Sequence, residues 1–260
     1  MSREELGVAS LFSGSRGNCT FIKAGDHAFL IDAGGSLKAI ETALREIGSS
    51  LTEISAVFVT HEHSDHIQSL PLLSKRFGIP VHMTAASAGA MRLPPDSPLA
   101  SCLVLHDGEF SLSFDSETTV EAFFTPHDSA QCVGYRIRYR DRAVGIATDL
   151  GCVTQRIYDM LRGCLAVVLE SNHDPDMVKN GPYTPALKRR ILSSFGHLSN
   201  GDCAEAAAAL ARAGTRAFLL AHLSKENNTP ETALRTVGES VGAYGVSVRA
   251  AAPDRITVLL

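Results

Sequence analysis

Apolar and polar positions alternate between two rhythms along the chain. Val8–Leu11, Cys19–Ala24 and Ala28–Asp32 are short apolar runs, with Gly14, Gly17, Gly25, Gly34 and Gly35 placed as turns between and after them. That pattern predicts strands. From Ser36 to Ile47 the period changes. Leu37, Ile40, Leu44 and Ile47 recur at three, four and three residues, the spacing of one helix face. Ala56–Thr60 predicts a buried strand that runs straight into His61. Ile67–Phe77 predicts a helix with Leu70, Leu73 and Phe77 on one side, and Pro71 either in its first turn or at a kink. Val81–Met83 predicts another strand.

The middle of the chain is β-rich. Cys102–Leu105, Phe110–Phe114, Thr119–Phe124, Val133–Tyr139 and Ala143–Ala147 are short, apolar or alternating, with hairpin-type connections between them. Helices are predicted at Val153–Leu161, Pro185–Ser194, Asn200–Ala213 and Thr229–Val241. Strands are predicted at Ala166–Glu170, Ala217–Ala221, Val246–Ala250 and Ile256–Leu260. The Pro- and Gly-punctuated stretch Asp174–Pro185 reads as a loop. No repeat, low-complexity tract or linker interrupts the chain, so residues 1–260 read as one domain. Strands and helices come in two similar halves, which predicts two sheets packed face to face with helices outside.

Composition changes this picture little. The chain has 260 residues, 45% hydrophobic and 20% charged, as in a soluble globular protein able to bury a sizeable core. A net charge of −4 neither demands nor excludes a nucleic-acid partner, although a broad basic DNA-binding face would make the chain more basic. The six cysteines are scattered without a C-x-x-C pair and read as reduced thiols. The opening residues lack the signature of a signal peptide, and no apolar stretch is long enough for a bilayer span. A cytoplasmic location is the expectation.

The chemistry concentrates in Thr60-His61-Glu62-His63-Ser64-Asp65-His66. In extended chain His61 and His63 project to the same side, and a tight turn can bring Asp65 and His66 back beside them. Imidazole nitrogen and carboxylate oxygen suit Zn²⁺ and similar divalent ions. A solvated polar turn is the competing reading, but it leaves unexplained why the turn follows a buried strand. Four clustered side chains cannot complete two metal shells. Further donors are expected where buried strands end, and His127, Asp149 and His222 each stand at such a place.

In order and approximate spacing, HEHSDH followed by His127, Asp149 and His222 resembles the metallo-β-lactamase superfamily. The likeness covers nearly the whole chain and includes Asp32 in LIDAGG. The segments LFSGSRGNCTFI, TPHDSAQCVGYRI, ATDLGCVT, LESNHD, GHLSN and LAHLSKENN resemble its YycJ/WalJ (VicX) branch, cytoplasmic proteins related to the ribonuclease Z-like nucleases and regarded as DNA exonucleases. The resemblance implies an α+β fold, a four-layer αβ/βα sandwich with the site at one edge. It implies two divalent ions, Zn²⁺ or Mn²⁺. One takes His61, His63 and His127, the other Asp65, His66 and His222, with Asp149 bridging them and Asp32 ordering the ligands from behind.

That arrangement implies hydrolysis of a nucleic acid, DNA above all, by a hydroxide bridging the two ions. Asp65 is placed to accept a hydrogen bond from the nucleophile. Leaving-group protonation needs another donor, and His197 in GHLSN and His173 in ESNHD are the candidates, each set against a structural role. Ser199, Asn200, Ser224 and Asn227 are candidate phosphate contacts. Ser13–Asn18 reads as a tight hairpin with Arg16 at its tip, and Lys188-Arg189-Arg190 as a solvated helix face unless it borders the cleft. The rival readings are a hydrolase of small thioesters, lactones or lactams on the same metals, and a non-catalytic binding protein. The span from Asp149 to His222 holds no insertion large enough for a cap domain of the CPSF type.

Overall fold

The computed structural model describes residues 6–94 and 96–260, so the first five residues, weighed above for a leader, lie outside the described part. The first half runs β1 (Leu6–Phe12), β2 (Cys19–Ala24), β3 (His27–Ile31), α1 (Leu37–Glu46), β4 (Ile54–Phe58), α2 (Ser64–Ile67), α3 (Leu70–Phe77), β5 (Val81–Thr84), α4 (Ala85–Ala90) and β6 (Leu103–His106). The second runs β7 (Ser111–Ser113), β8 (Thr118–Phe124), β9 (Val133–Tyr139), β10 (Arg142–Ala147), α5 (Gln155–Leu161), β11 (Ala166–Glu170), α6 (Pro175–Asn180), α7 (Pro185–Ile191), α8 (Asn200–Arg212), β12 (Ala217–Ala221), α9 (Pro230–Val241), β13 (Ser247–Ala250) and β14 (Thr257–Val258).

Among the described residues these strands form two seven-stranded sheets, ordered β14-β1-β2-β3-β4-β5-β6 and β13-β12-β11-β10-β9-β8-β7. Strand periodicity explains how they stack. On β3, Phe29 and Ile31 enter the layer between the sheets, while Ala28 and Leu30 face the other way. On β11, Ala166 and Val168 face inward, and Val167 and Leu169 outward. Both faces are apolar because both are covered, as parallel strands require. Leu37, Ile40 and Leu44 of α1 and Leu70 and Leu73 of α3 cover the first sheet. Ile157 of α5, Leu210 of α8 and Val237 of α9 cover the second. Helix, sheet, sheet and helix make the four-layer αβ/βα sandwich. Each fully buried Leu or Ile in these layers contributes about 1.5–3 kcal/mol.

Direction matters more than layering for the site. β3 to β6 are mutually parallel, and so are β10 to β13. β8 is antiparallel to β9, which is antiparallel to β10, so β8 runs with the parallel set. The residues that follow β8, β10, β11 and β12 therefore emerge at one edge.

Several elements differ from the expectation. The strand before His61 ends at Phe58, so Val59 and Thr60 already belong to the turn. The helix expected over Ile67–Phe77 splits into α2 and α3, with Pro71 in the first turn of α3, where its missing N–H costs nothing. Asp174–Pro185 is not simply a loop. Asp174 caps the amides of Asp176 and Met177, Pro175 starts the first turn, and α6 follows. The Ala-rich turn α4, capped by Thr84, carries too little apolar periodicity to be read in advance. The expected strands Phe110–Phe114 and Ile256–Leu260 shrink to β7 and β14.

Candidate metal centre

The HEHSDH segment turns back on itself after β4. Asp32, at the end of β3, fixes the entry, accepting from the Thr60 amide at 2.8 Å and the Thr60 hydroxyl at 2.9 Å. The single turn α2 then returns Asp65 and His66 toward His61, whose ring lies 4.2 Å from that of His66 and 4.4 Å from that of His63. Gly34 makes this possible, because a Cβ there would stand 1.5 Å from the Asp65 carbonyl oxygen. The Asn18 amide donates to that same oxygen at 2.8 Å, and the Asn18 side chain to the Asp65 carboxylate at 3.2 Å.

Three further residues arrive from the strand ends of the second sheet. His127 brings its ring to 5.0 Å from that of His61 and 5.3 Å from that of His63. Asp149 follows β10 and His222 follows β12. Asp32, Asp149 and His222 all have left-handed backbones, with φ of 63°, 57° and 55°. Such residues are uncommon outside glycine and collect at functional sites. At His222 the strain is held by two hydrogen bonds, its amide donating to Ser13 Oγ and its carbonyl accepting from Asn172 Nδ2, each 2.7 Å.

The ligand-type atoms fall into compact sets. His61, His63 and His127 each offer one within 4.8 Å of the others, and so do Asp65, His66 and His222; Asp149 forms a third set with His61 and His66. The rings are held from outside. Nδ1 of His61 lies 3.0 Å from Thr60 Oγ1, that of His66 2.8 Å from Asp32, that of His127 3.1 Å from the Gly196 carbonyl and that of His222 2.8 Å from Glu170. An imidazole anchored through Nδ1 presents Nε2 as a ligand atom.

Two buried atoms test whether cations fit. His61 Nε2 and Asp149 Oδ2 have no hydrogen-bond partner. A buried polar atom left unpaired costs about 1–3 kcal/mol. A divalent ion is the partner that a nitrogen and carboxylate donor set suits.

The charges agree. Burial works against a charged His66, yet Asp32 and Asp149 outweigh it and hold the ring well above the usual histidine range. His222, also opposed by burial, is raised to about 9 by Asp149 and Glu170. Burial pushes the Asp65 carboxyl up, but its contact with His66 and the nearby imidazoles bring it down to about 2. Protons thus balance the carboxylates in the chain alone, and bound cations would displace them.

Of the remaining candidates, His197 and Ser224 line the cleft, as does Asp65 from within its set. His173, Ser199, Asn200 and Asn227 do not. His173 is buried and its backbone bridges Ser199. Ser199 caps α8. Asn200 accepts from Ser171 and donates to Asn228, and the Asn227 amide donates to Ser224. A polar residue after a strand reads as exposed in sequence, whereas here these side chains and backbones pair the 171–173 and 197–200 segments behind the site.

Sequence reasoning missed several supports. Glu170, fully buried at the end of β11, takes Nδ1 of both His197 and His222 at 2.8 Å and the amides of Leu150 and Leu198 at 2.9 and 3.2 Å. Its signal was available, since it is a carboxylate closing an apolar strand. Asn18 and Ser13 lie in the segment read as a hairpin. Asp128 stands 3.3 Å from His127 Nε2 and pairs with Arg190.

Known proteins resemble this chain. The Beta-lactamase superfamily domain matches residues 27–223. Exodeoxyribonuclease YycJ of Bacillus anthracis is 36% identical over 244 residues, covering 94% of this chain and 92% of that protein. Exodeoxyribonuclease WalJ of Streptococcus pneumoniae is 33% identical over 238 residues, covering 91% and 88%. The crystal structure of the metallo-β-lactamase fold protein YhfI from Bacillus subtilis superposes with a TM-score of 0.71 at 15% identity, over 97% of this chain and 99% of that one. The chain belongs to the metallo-β-lactamase superfamily, in its YycJ/WalJ branch.

Proposed function

We propose that this chain is a metal-dependent exonuclease that removes nucleotides from DNA, using two divalent ions, Zn²⁺ or Mn²⁺. The observation that carries the reading is the pair of three-residue donor sets joined through Asp149 at the wall of a cleft of about 300 Å³. His61, His63 and His127 would hold one ion and Asp65, His66 and His222 the other, with Asp149 between. When bound, the ions supply an acidified water and stabilise charge on phosphate oxygens.

The chain's own groups do the rest. Asp65, at the wall of the cleft, would accept a hydrogen bond from the attacking water. His197 is the proton donor to the leaving oxygen, because it lines the cleft with Nδ1 held by Glu170, while His173 is buried away from it. Ser224 is a phosphate contact. DNA as the substrate rests on the names of the relatives, both exodeoxyribonucleases. A cytoplasmic setting is supported by six unpaired cysteines. No helix among the described residues is long and apolar enough to cross a membrane. The test is release of nucleotides from linear DNA by purified protein before chelation, after chelation, and after Mn²⁺ or Zn²⁺ is restored. Release that survives complete metal removal contradicts the proposal.

A further inference from the structure

The cleft has two walls of different chemistry. One carries the metal-type ligands. The other is the arm formed by α6 and α7, which contributes Tyr183, Leu187, Arg190 and Ile191. A scissile phosphate needs only the first wall. An aromatic ring and two aliphatic side chains lining the same cleft as the ligand-type residues suit a flat, apolar partner, and a nucleobase is one.

The arm is a built surface. The Asp174 amide donates to the Asn227 carbonyl at 2.8 Å, and the His197 amide to the Ile191 carbonyl at 3.0 Å. Gly181 packs so closely against the rest of the fold that a Cβ would stand 3.0 Å from Asn227 Oδ1. Arg190 Nε pairs with Asp128, which itself approaches His127 Nε2, so the guanidinium is tied to the metal side of the cleft. Among the described residues its two terminal nitrogens make no hydrogen bond to protein, and neither does the Tyr183 hydroxyl. A guanidinium with five donors can hold Asp128 through Nε and a phosphate through the other two nitrogens.

We infer that the α6–α7 arm is a terminal-nucleotide subsite, in which Tyr183 stacks on an unpaired end base and Arg190 holds the neighbouring phosphate. The inference rests on the nuclease reading and deepens it. The cleft, about 300 Å³, is at the small end for ligand sites, a size that suits one nucleotide. On this reading the end base of the strand being cut leaves its partner before cleavage, and stacking on Tyr183 offsets that separation.

The test compares hydrolysis of DNA ends carrying a normal or an abasic terminal nucleotide. It also follows quenching of 2-aminopurine at that position in the mixing phase before release. Wild type is expected to cut the abasic end about tenfold more slowly and to quench the probe. Tyr183→Ala is expected to lose both the discrimination and the quench, with Tyr183→Phe keeping them. Arg190→Ala is expected to raise KM for both ends alike. Equal cutting of both ends by wild type, or full quenching in Tyr183→Ala, overturns the subsite while leaving the nuclease reading in place. Arg190→Ala with unchanged KM overturns the phosphate contact. If wild type hydrolyses no nucleic acid under any metal, both readings fall together.

Discussion

Glu170 accepts a hydrogen bond from His222 Nδ1 at 2.8 Å from a fully buried position behind the site. This fixes the tautomer that leaves His222 Nε2 free to ligate, and the same carboxylate oxygen does likewise for His197. Glu170→Gln keeps the shape but loses the charge and, whichever way its amide turns, two of the four acceptor contacts. It is expected to weaken metal binding by about 10–100-fold while the protein stays folded. Calorimetric titration of the metal, with a thermal melt of the metal-free protein as control, checks this. Unchanged affinity would show that Glu170 only packs.

Asp149 offers a ligand-type atom beside those of His61 and His66, one from each donor set, and holds a left-handed φ of 57°. Asp149→Ala and Asp149→Asn should both lose hydrolysis, and Asp149→Ala should also lose its metals. They should differ in stability, because asparagine visits this backbone region readily and alanine does not. Alanine is expected to cost about 1–2 kcal/mol more in urea unfolding of the metal-free protein. Full activity in Asp149→Ala would remove it from the bridging position.

His197 and His222 share Glu170 but have different assignments. His197→Ala is expected to slow turnover by about 10²–10⁴-fold with both metals retained, as loss of a general acid does. His222→Ala is expected to lose metal. Metal content measured by mass spectrometry beside turnover separates them. Undiminished turnover in His197→Ala would return that residue to a structural role.

Away from the site, His82 stacks on Phe58 and lies 3.1 Å from His106 Nε2. Burial, with the second imidazole beside it, lowers its pKa to about 4. The unfolded chain therefore binds this proton first as pH falls. This contribution to stability is complete above the ordinary value near 6.5 and is lost as pH drops toward 4. His82→Phe keeps a ring without a proton site. Between pH 7.5 and 4.5, wild type should lose stability relative to His82→Phe in urea unfolding; a constant gap would contradict this.

That these ligand-type residues gather at one edge was legible because metal-type side chains stand where apolar strands end, and both features survive in a linear sequence. The sandwich was legible for a related reason, since period-2 strands with two apolar faces must be covered twice. Orientation was not legible. Ser199 and Asn200 follow His197 and look like phosphate contacts, yet one caps α8 and the other pairs with Ser171 and Asn228. Ser13 and Asn18 look like turn residues, yet they hold His222 and Asp65 from the far end of the chain. Such pairings depend on which strand ends meet in space. The α6 turn was hidden because Asp174 and Pro175 serve a helix start as well as a loop.

The central claim, a metal-dependent exonuclease acting on DNA, is tested most directly by supplying purified protein with Mn²⁺ or Zn²⁺ and end-labelled single- and double-stranded DNA and RNA. A lactone and a thioester run alongside, with His63→Ala as the control. The account predicts stepwise release of nucleotides from DNA by wild type and none by the variant. Turnover of a small ester by wild type alone, with every nucleic acid left intact, would keep the metal centre and contradict the substrate.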